Sequence, residues 1–469
     1  MKRMFGTAGI RGLINHEITP QLALGIGIAY GDWMAARGGD KLSAAVAHDT
    51  RYGADMLARA AASGLASAGL AVQFYGCVST GVFSLNLVKS GQRGGILVTG
   101  SHMPPDRTGL ICLLDDGAYA PVEITDDIEA RYRALATRTR RVRPEDVGHI
   151  DEAFHPYEAY VSDVVKQVDA RRMRERKLRI VVDPANGTAS YIAKELYEWF
   201  GCDVEMMNFD PSPVPGRASE PRANTVGEAR KRVVEVGADV GICFDVDADR
   251  VLFITHEGEA VSEDTVGAIF AREELRKGDV CVTPVNSSGL IELACRDAGA
   301  RLEYCEVGQP PTAKAIKALG AAFAYEESGK YYFPRHYLWA DGPFVGVKML
   351  ELMTRRERRL AEIVAGFPRF HQVKHTVHVE DARMEAAVKA AEELLATRLT
   401  DGRTRDITVD GFKRVYGDNS WLLIRKSGTE PLIRVYSDAP AVERAQELVK
   451  AGTELLQEAI ARAGRPEKS

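Results

Sequence analysis

Three carboxylates stand at alternate positions in Asp245-Val246-Asp247-Ala248-Asp249-Arg250. On an extended backbone, side chains at i, i+2 and i+4 share one face, so Asp245, Asp247 and Asp249 would converge. Left alone they would repel, and a hard divalent cation relieves that repulsion. An EF-hand does not fit, because the sixth position is Arg250 rather than glycine and the twelfth is His256 rather than Glu. Mg²⁺ is the expected occupant, with a phosphate oxygen of substrate or enzyme as a further ligand. The plainer alternative is a solvated acidic turn.

Three other clusters carry candidate chemistry. In Thr99-Gly100-Ser101-His102-Met103-Pro104 a serine follows a short apolar run, but Thr99 and Met103 replace the glycines of a nucleophile elbow. A serine hydrolase is therefore poorly supported, and in isolation the segment reads as a turn. In Arg425-Lys426-Ser427-Gly428-Thr429-Glu430-Pro431, with Arg434 beyond, a glycine lets backbone N–H groups approach an anion. Two hydroxyls and an arginine fork complete a phosphate-binding composition. It is not a Walker A loop. Tyr325-Glu326-Glu327-Ser328-Gly329-Lys330 groups acids and a hydroxyl suited to sugar hydroxyls, or equally to a cap or exposed turn.

These residues need elements to hold them. Residues 42–47, 71–75, 95–99, 178–182 and 239–244 are short apolar runs that predict strands. Ser101 and Asp245 follow two of them, at the carboxyl ends where α/β proteins place their chemistry. Helices are expected at 54–68, 193–200 and 383–396, and a further strand at 371–379. The alternation predicts an α/β chain with mostly covered sheets. Gly25-Ile26-Gly27 lacks the third glycine of a dinucleotide fingerprint and reads as helix. His371, His375 and His378 read as strand surface rather than metal ligands. Charge at 131–145, the turn His256-Glu257-Gly258-Glu259 and the break Gly366-Phe367-Pro368 give domains 1–148, 149–257, 258–369 and 370–469.

Composition narrows the function classes. The 469 residues are 45% hydrophobic and 27% charged, ordinary for a globular protein of several domains. A net charge of −5 gives no global basic field for nucleic acid. Seven cysteines include no Cys-x-x-Cys pair, so reduced buried thiols are expected rather than zinc or disulfides. No apolar run reaches the ~20 residues that span a bilayer. The start, MKRMFGTAGIRG, lacks a signal-peptide core. A cytoplasmic protein without a membrane partner is expected.

Taken in order, the four clusters resemble the α-D-phosphohexomutase superfamily, the phosphoglucomutases and phosphomannomutases. Further matching segments are Phe5-Gly6-Thr7-Ala8-Gly9-Ile10-Arg11-Gly12, His48-Asp49-Thr50-Arg51, Asp183-Pro184-Ala185-Asn186-Gly187 and Val307-Gly308. The resemblance implies three α/β domains with mixed sheets and a smaller C-terminal α+β domain around a central cleft. It implies a magnesium-dependent mutase that moves a phosphoryl group between sugar oxygens through a sugar 1,6-bisphosphate. Ser101 would carry the phosphoryl group as a phosphoserine and join Asp245, Asp247 and Asp249 around Mg²⁺. Arg11, Arg250 and His102 fall among the catalytic positions. Glu326 and Ser328 fall in the sugar loop. Gly308, Arg425, Ser427, Gly428, Thr429 and Arg434 would complete the binding of the phosphosugar.

Three positions depart from that pattern. Met103 stands where the family usually has Asn after Ser-His, Ile111 where a lysine is common, and Lys330 where the sugar loop often ends in histidine. The missing lysine and histidine are the family's acid/base candidates, so Lys330 is the expected base, with burial and nearby arginines lowering its pKa. Glucose and mannose phosphates are the first expected substrates, followed by glucosamine and pentose phosphates. A metal-dependent sugar phosphatase and a non-catalytic sugar-phosphate sensor are the readings from other classes.

Overall fold

A computed structural model of the protein describes residues 3–6, 8–38, 42–137, 142–400, 402–427 and 431–463. Two compact units emerge, Met1–Ser262 with Ser328–Val364, and Glu263–Glu327 with Ala365–Ser469. Across them the fold is three α/β domains with mixed sheets, then a C-terminal domain with an antiparallel sheet.

In the first unit, Gly94–Val98 lies at the centre of a six-stranded sheet. It pairs in parallel with Ser43–His48 and antiparallel with Arg107–Leu114. Ile96, Leu97 and Val98 are fully buried, each contributing roughly 1.5–3 kcal/mol of apolar transfer. The register sets His48 beside Val98, so Asp49 and Thr99 leave the sheet side by side. The helix Pro20–Ala36 starts at Thr19, whose hydroxyl accepts from Leu22 N, with Pro20 in the first turn. It crosses Ala54–Ser67 at very short range. A Cβ on Gly27 would meet Ala61 O at 2.3 Å, and one on Gly64 would meet Leu24 O at 2.2 Å. Gly27 thus serves helix packing, in keeping with the helical reading of that segment.

A second sheet of this unit runs Val251–Thr255, Val240–Phe244, Arg179–Asp183, Asp203–Met206. Its two central strands are parallel, and Val240–Phe244 is buried throughout. That strand delivers Asp245 to its carboxyl end. The helix Gly342–Arg356 also belongs to this unit, capped by Asp341 through Phe344 N at 3.2 Å.

In the second unit, Val280–Pro284 pairs in parallel with Arg301–Cys305 and Phe323–Glu326. A five-stranded antiparallel sheet follows, ordered His371–His378, Leu432–Ala439, Trp421–Lys426, Phe412–Val415, Arg405–Ile407. Its face packs on the helices Asp381–Thr397 and Val442–Ala463 through Ile424, Ile433, Val435, Leu455 and Leu456. His375 and His378 are exposed on the edge strand, as read from the sequence.

Candidate active site

The Thr99-Gly100-Ser101 turn begins where its buried strand ends. Ser101 adopts a left-handed backbone, φ 46°, a conformation that costs a non-glycine residue roughly 1–2 kcal/mol. The turn is held by Met103 N on Gly100 O, 2.9 Å, and Ser101 N on Thr99 Oγ1, 2.9 Å. Asp49 accepts from Gly100 N and from Thr99 Oγ1, at 2.9 and 2.8 Å. Ser101 is buried, and its hydroxyl donates to Asp245 Oδ2 at 2.7 Å.

Asp245, Asp247 and Asp249 do converge, each offering an oxygen within 4.8 Å of the others, and all three are buried. The route differs from the extended alternation expected from sequence. The segment is a turn, closed by Ala248 N on Asp245 O at 3.1 Å with Ala248 left-handed, φ 58°. Val246 O accepts from Thr188 N and Oγ1, Asp247 O from Thr80 N, and Ala248 O from Gly342 N. Separate parts of the unit thus pin three successive carbonyls.

The donor set fits a divalent cation. Asp247 Oδ1 and Asp249 Oδ1 are buried without a hydrogen-bond partner, a state that carboxylate oxygens seldom sustain. Desolvation, and then the charge of Asp249, raises Asp245 to about 6. Desolvation, Asp249 and Asp245 raise Asp247 well above the usual carboxylate range. The same excess of negative charge that draws protons here would draw a hard cation.

Cationic groups border the carboxylates. Lys330 is buried and donates to Asp249 Oδ2 at 2.6 Å. Arg250 pairs with Glu220 and lies 3.8 and 4.0 Å from Asp245 and Asp249. Its Nη2 stands 2.9 Å from His102 Nδ1. Because a guanidinium only donates, Nδ1 accepts and the ring proton sits on Nε2. Burial, then Arg250, Arg11, Lys330 and Arg51, push His102 down to about 2, so it is a neutral donor at working pH. Arg11 donates to Ala8 O at 3.2 Å and feels the charges of Arg250, Asp247 and Asp249. Ile111 is buried on Arg107–Leu114 opposite Leu97, with no acid/base group to offer.

Apart from Ser328, the second unit holds the other sequence candidates. Glu326 ends its strand, buried. Arg425 and Arg434 face each other across antiparallel strands, doubling the positive charge at one register position. Arg425 pairs with Asp410 at 2.7 Å, and the same Asp410 oxygen accepts from Val307 N at 3.0 Å, next to Gly308. Ser427 is buried. Gly428 and Thr429 lie outside the described residues. Ser328 belongs to the first unit, its hydroxyl buried. Sequence reasoning gave no role to Asp49, Arg51, Glu220 or Asp410. Only the matching segment His48-Asp49-Thr50-Arg51 could have signalled the first two.

Comparison with known proteins covers almost all of the chain. Four family models match, all described as phosphoglucomutase/phosphomannomutase. Alpha/beta/alpha domains I, II and III match residues 2–139, 158–258 and 262–370, and the C-terminal domain matches 376–454. A phosphoglucomutase/phosphomannomutase of Thermococcus kodakarensis is 32% identical, over 98% of this chain and 100% of that protein. A probable phosphoglucosamine mutase of Methanopyrus kandleri is 33% identical over 96% of each. A phosphopentomutase of Thermococcus kodakarensis is 32% identical, over 95% of this chain and 96% of that one. The crystal structure of a phosphoglucomutase/phosphomannomutase family protein from Burkholderia thailandensis superposes with a TM-score of 0.85 at 25% identity, covering 99% of this chain and 98% of that one.

Proposed function

The chain belongs to the phosphoglucomutase/phosphomannomutase family of the α-D-phosphohexomutases, isomerases that act by phosphoryl transfer, and we propose that it interconverts sugar 1-phosphates and 6-phosphates through Ser101 and a sugar 1,6-bisphosphate. The observation that carries this reading is the Ser101 hydroxyl 2.7 Å from Asp245, beside two buried carboxylate oxygens without partners. Glucose and mannose phosphates are the first substrates proposed. The names of the Methanopyrus and second Thermococcus relatives support glucosamine and pentose phosphates as the alternatives.

Held by Asp245, Asp247, Asp249 and a Ser101 phosphate oxygen, Mg²⁺ would supply positive charge to offset the transferring group. The chain's own residues do the rest. The Ser101 Oγ–P bond breaks as a bond forms from phosphorus to the free sugar hydroxyl, whose proton passes to Lys330 once that amine has given its own proton to solvent. The other phosphate of the bisphosphate then returns to Ser101 Oγ, and the proton goes back to the sugar oxygen it leaves. Arg11 and Arg250 stabilise the equatorial oxygens, and His102 donates through Nε2. Glu326 and Ser328 recognise sugar hydroxyls. Arg425, Ser427, Gly428, Thr429 and Arg434 hold the phosphate that is not reacting, and Gly308 also binds the substrate. Segments 1–148, 149–257, 258–369 and 370–469 are assigned the phosphoserine, metal, sugar and phosphate loops in turn.

We place the enzyme in the cytoplasm. All seven cysteines are free, as suits a reducing compartment, and no described helix is long and apolar enough to cross a membrane.

The test is ³¹P NMR with Mg²⁺, a trace of hexose 1,6-bisphosphate and each sugar 1-phosphate in turn, beside Ser101→Ala. Conversion of one 1-phosphate to its 6-phosphate (5-phosphate for a pentose), abolished in the variant, is expected. Release of free phosphate alone would assign a phosphatase instead, and no change across the panel a binding protein.

A further inference from the structure

Arg51 touches none of the reacting atoms, yet its guanidinium is built deep into the serine loop. Its side chain is 1% exposed and sits 3.3 Å from Asp49 Oδ2, itself 0% exposed. One guanidinium nitrogen donates to Ser101 O and Met103 O, both at 2.6 Å. The other donates to Arg107 O at 2.9 Å and to Pro104 O. A single side chain thus satisfies four carbonyls within seven residues of chain. Asp49 completes the frame from the other side through Gly100 N, Thr99 Oγ1 and Arg51 N.

The loop is shaped around this guanidinium. A Cβ at Gly100 would lie 2.3 Å from Arg51 Nε and 2.4 Å from Cζ. The glycine before the serine is therefore required by the arginine beneath it. Ser101 then turns into its left-handed conformation with its own carbonyl tied to Arg51. That conformation is unfavourable for a serine and persists only where its surroundings over-determine it. The two terminal nitrogens of a planar fork can donate to four carbonyls while its charge lies beside a carboxylate, whereas a lysine has three donors on one point.

We propose that Arg51, held by Asp49, is a positioning residue for phosphoryl transfer, fixing the left-handed turn that aims the Ser101 hydroxyl at the Asp245 carboxylate. The inference rests on the mutase reading for its catalytic consequence and on the Arg51 and Asp49 hydrogen bonds for its structural one. In-line transfer tolerates little misplacement of the oxygen that gives and takes the phosphoryl group.

The experiment compares wild type, Arg51→Lys and the milder Asp49→Asn. Ser101 occupancy is set with hexose 1,6-bisphosphate and read by intact mass, so that kcat is expressed per phosphorylated site. Arg51→Lys is expected to lower that kcat at least tenfold with KM within twofold, and Asp49→Asn to move it the same way by less. Hydrogen exchange over residues 99–107 is expected to accelerate at least tenfold in Arg51→Lys, with the rest of the sheet unchanged. If Arg51→Lys does not fold, Asp49→Asn carries both readouts. A kcat per site within twofold of wild type would reduce Arg51 to a stability residue, even if Tm falls. Unchanged exchange in the loop would overturn the positioning itself. Accelerated exchange in a protein whose wild type shows no turnover would sink the mutase reading while leaving Arg51 as the holder of the turn.

Discussion

At the scale of single residues, the three buried aspartates store repulsion that catalysis would use. Asp245, raised to about 6, favours folding while protonated. That contribution is complete below the unfolded carboxylate value near 4 and is lost as pH rises through about 6. Asp247 is raised further, chiefly by desolvation, then by Asp249 and Asp245. Asp247→Asn is therefore expected to stabilise the metal-free protein at pH 8, while turnover disappears. Differential scanning calorimetry with EDTA and then excess Mg²⁺ checks this. Wild type should gain Tm with Mg²⁺ and the variant little or nothing, and equal gains would remove Asp247 from the ligand set. Lys330 poses a different question, because an ammonium already donating to Asp249 at 2.6 Å must first lose its proton before it can act as a base. Arginine keeps the charge but cannot give up its proton at working pH. If Lys330 is the base, Lys330→Arg and Lys330→Ala both lose about 10²-fold or more in kcat. An arginine variant near wild type, or an alanine variant with full turnover, would leave Lys330 only as a counter-charge.

At the scale of elements, the aspartate loop is held from outside as well as by its own turn hydrogen bond, Ala248 N on Asp245 O. Thr188 donates to Val246 O through both N and Oγ1, at 2.7 and 3.0 Å. Thr188→Val keeps the volume and the amide but removes the hydroxyl. A stability loss of about 1 kcal/mol is expected, with Mg²⁺ affinity several-fold weaker and kcat nearly unchanged at saturating metal. Isothermal titration calorimetry would read this, and an unaltered Kd would mean that the carbonyl clamp does not tune the site. The elements themselves were legible. The apolar runs at 95–99 and 239–244 correspond to Gly94–Val98 and Val240–Phe244, because burial on both faces leaves an unbroken hydrophobic signature. The convergence of the aspartates was legible too, but for another reason than alternation, since one left-handed residue, Ala248, does the folding back. The frame around these motifs was not legible. Arg51 reaches carbonyls 50–56 positions away, and Arg250 pairs with Glu220 across 30. Neither partner leaves a local pattern.

At the scale of the molecule, sequence composition places breaks near 148, 257 and 369, whereas the compact units divide the chain discontinuously, with Ser328–Val364 returning to the first. A returning segment has no signature in local periodicity, because its membership is decided by distant contacts such as Gly342 N on Ala248 O. The second unit has an internal seam that sequence shows no better. Asp264 accepts from Ser288 N and Tyr325 Oη, and Asp438 from Ser288 Oγ and Gly289 N. Lys413 reaches Ser287 O between the rings of Tyr304 and Trp421. The parallel strands and the antiparallel sheet are thereby joined through buried ionisable groups. Desolvation first, then Asp438 and Glu327, raise Asp264 to about 7, while desolvation lowers Lys413 to about 7 against the pull of Glu292, Asp438 and Asp264. Their effects on stability have opposite slopes. Asp264, protonated when folded, loses its contribution as pH rises from about 4 through 7. Lys413, whose burial disfavours its charge, regains stability as pH rises from about 7 toward 10.5. Asp264→Asn separates them, since it fixes one group neutral and leaves the other in place. Relative to wild type, the variant should therefore gain stability between pH 5 and pH 8, by roughly 2–4 kcal/mol. Urea unfolding at the two pH values measures that difference of differences. A gap independent of pH would mean that Asp264 is ionised in the folded protein throughout, with the seam held by charge rather than by a neutral carboxyl.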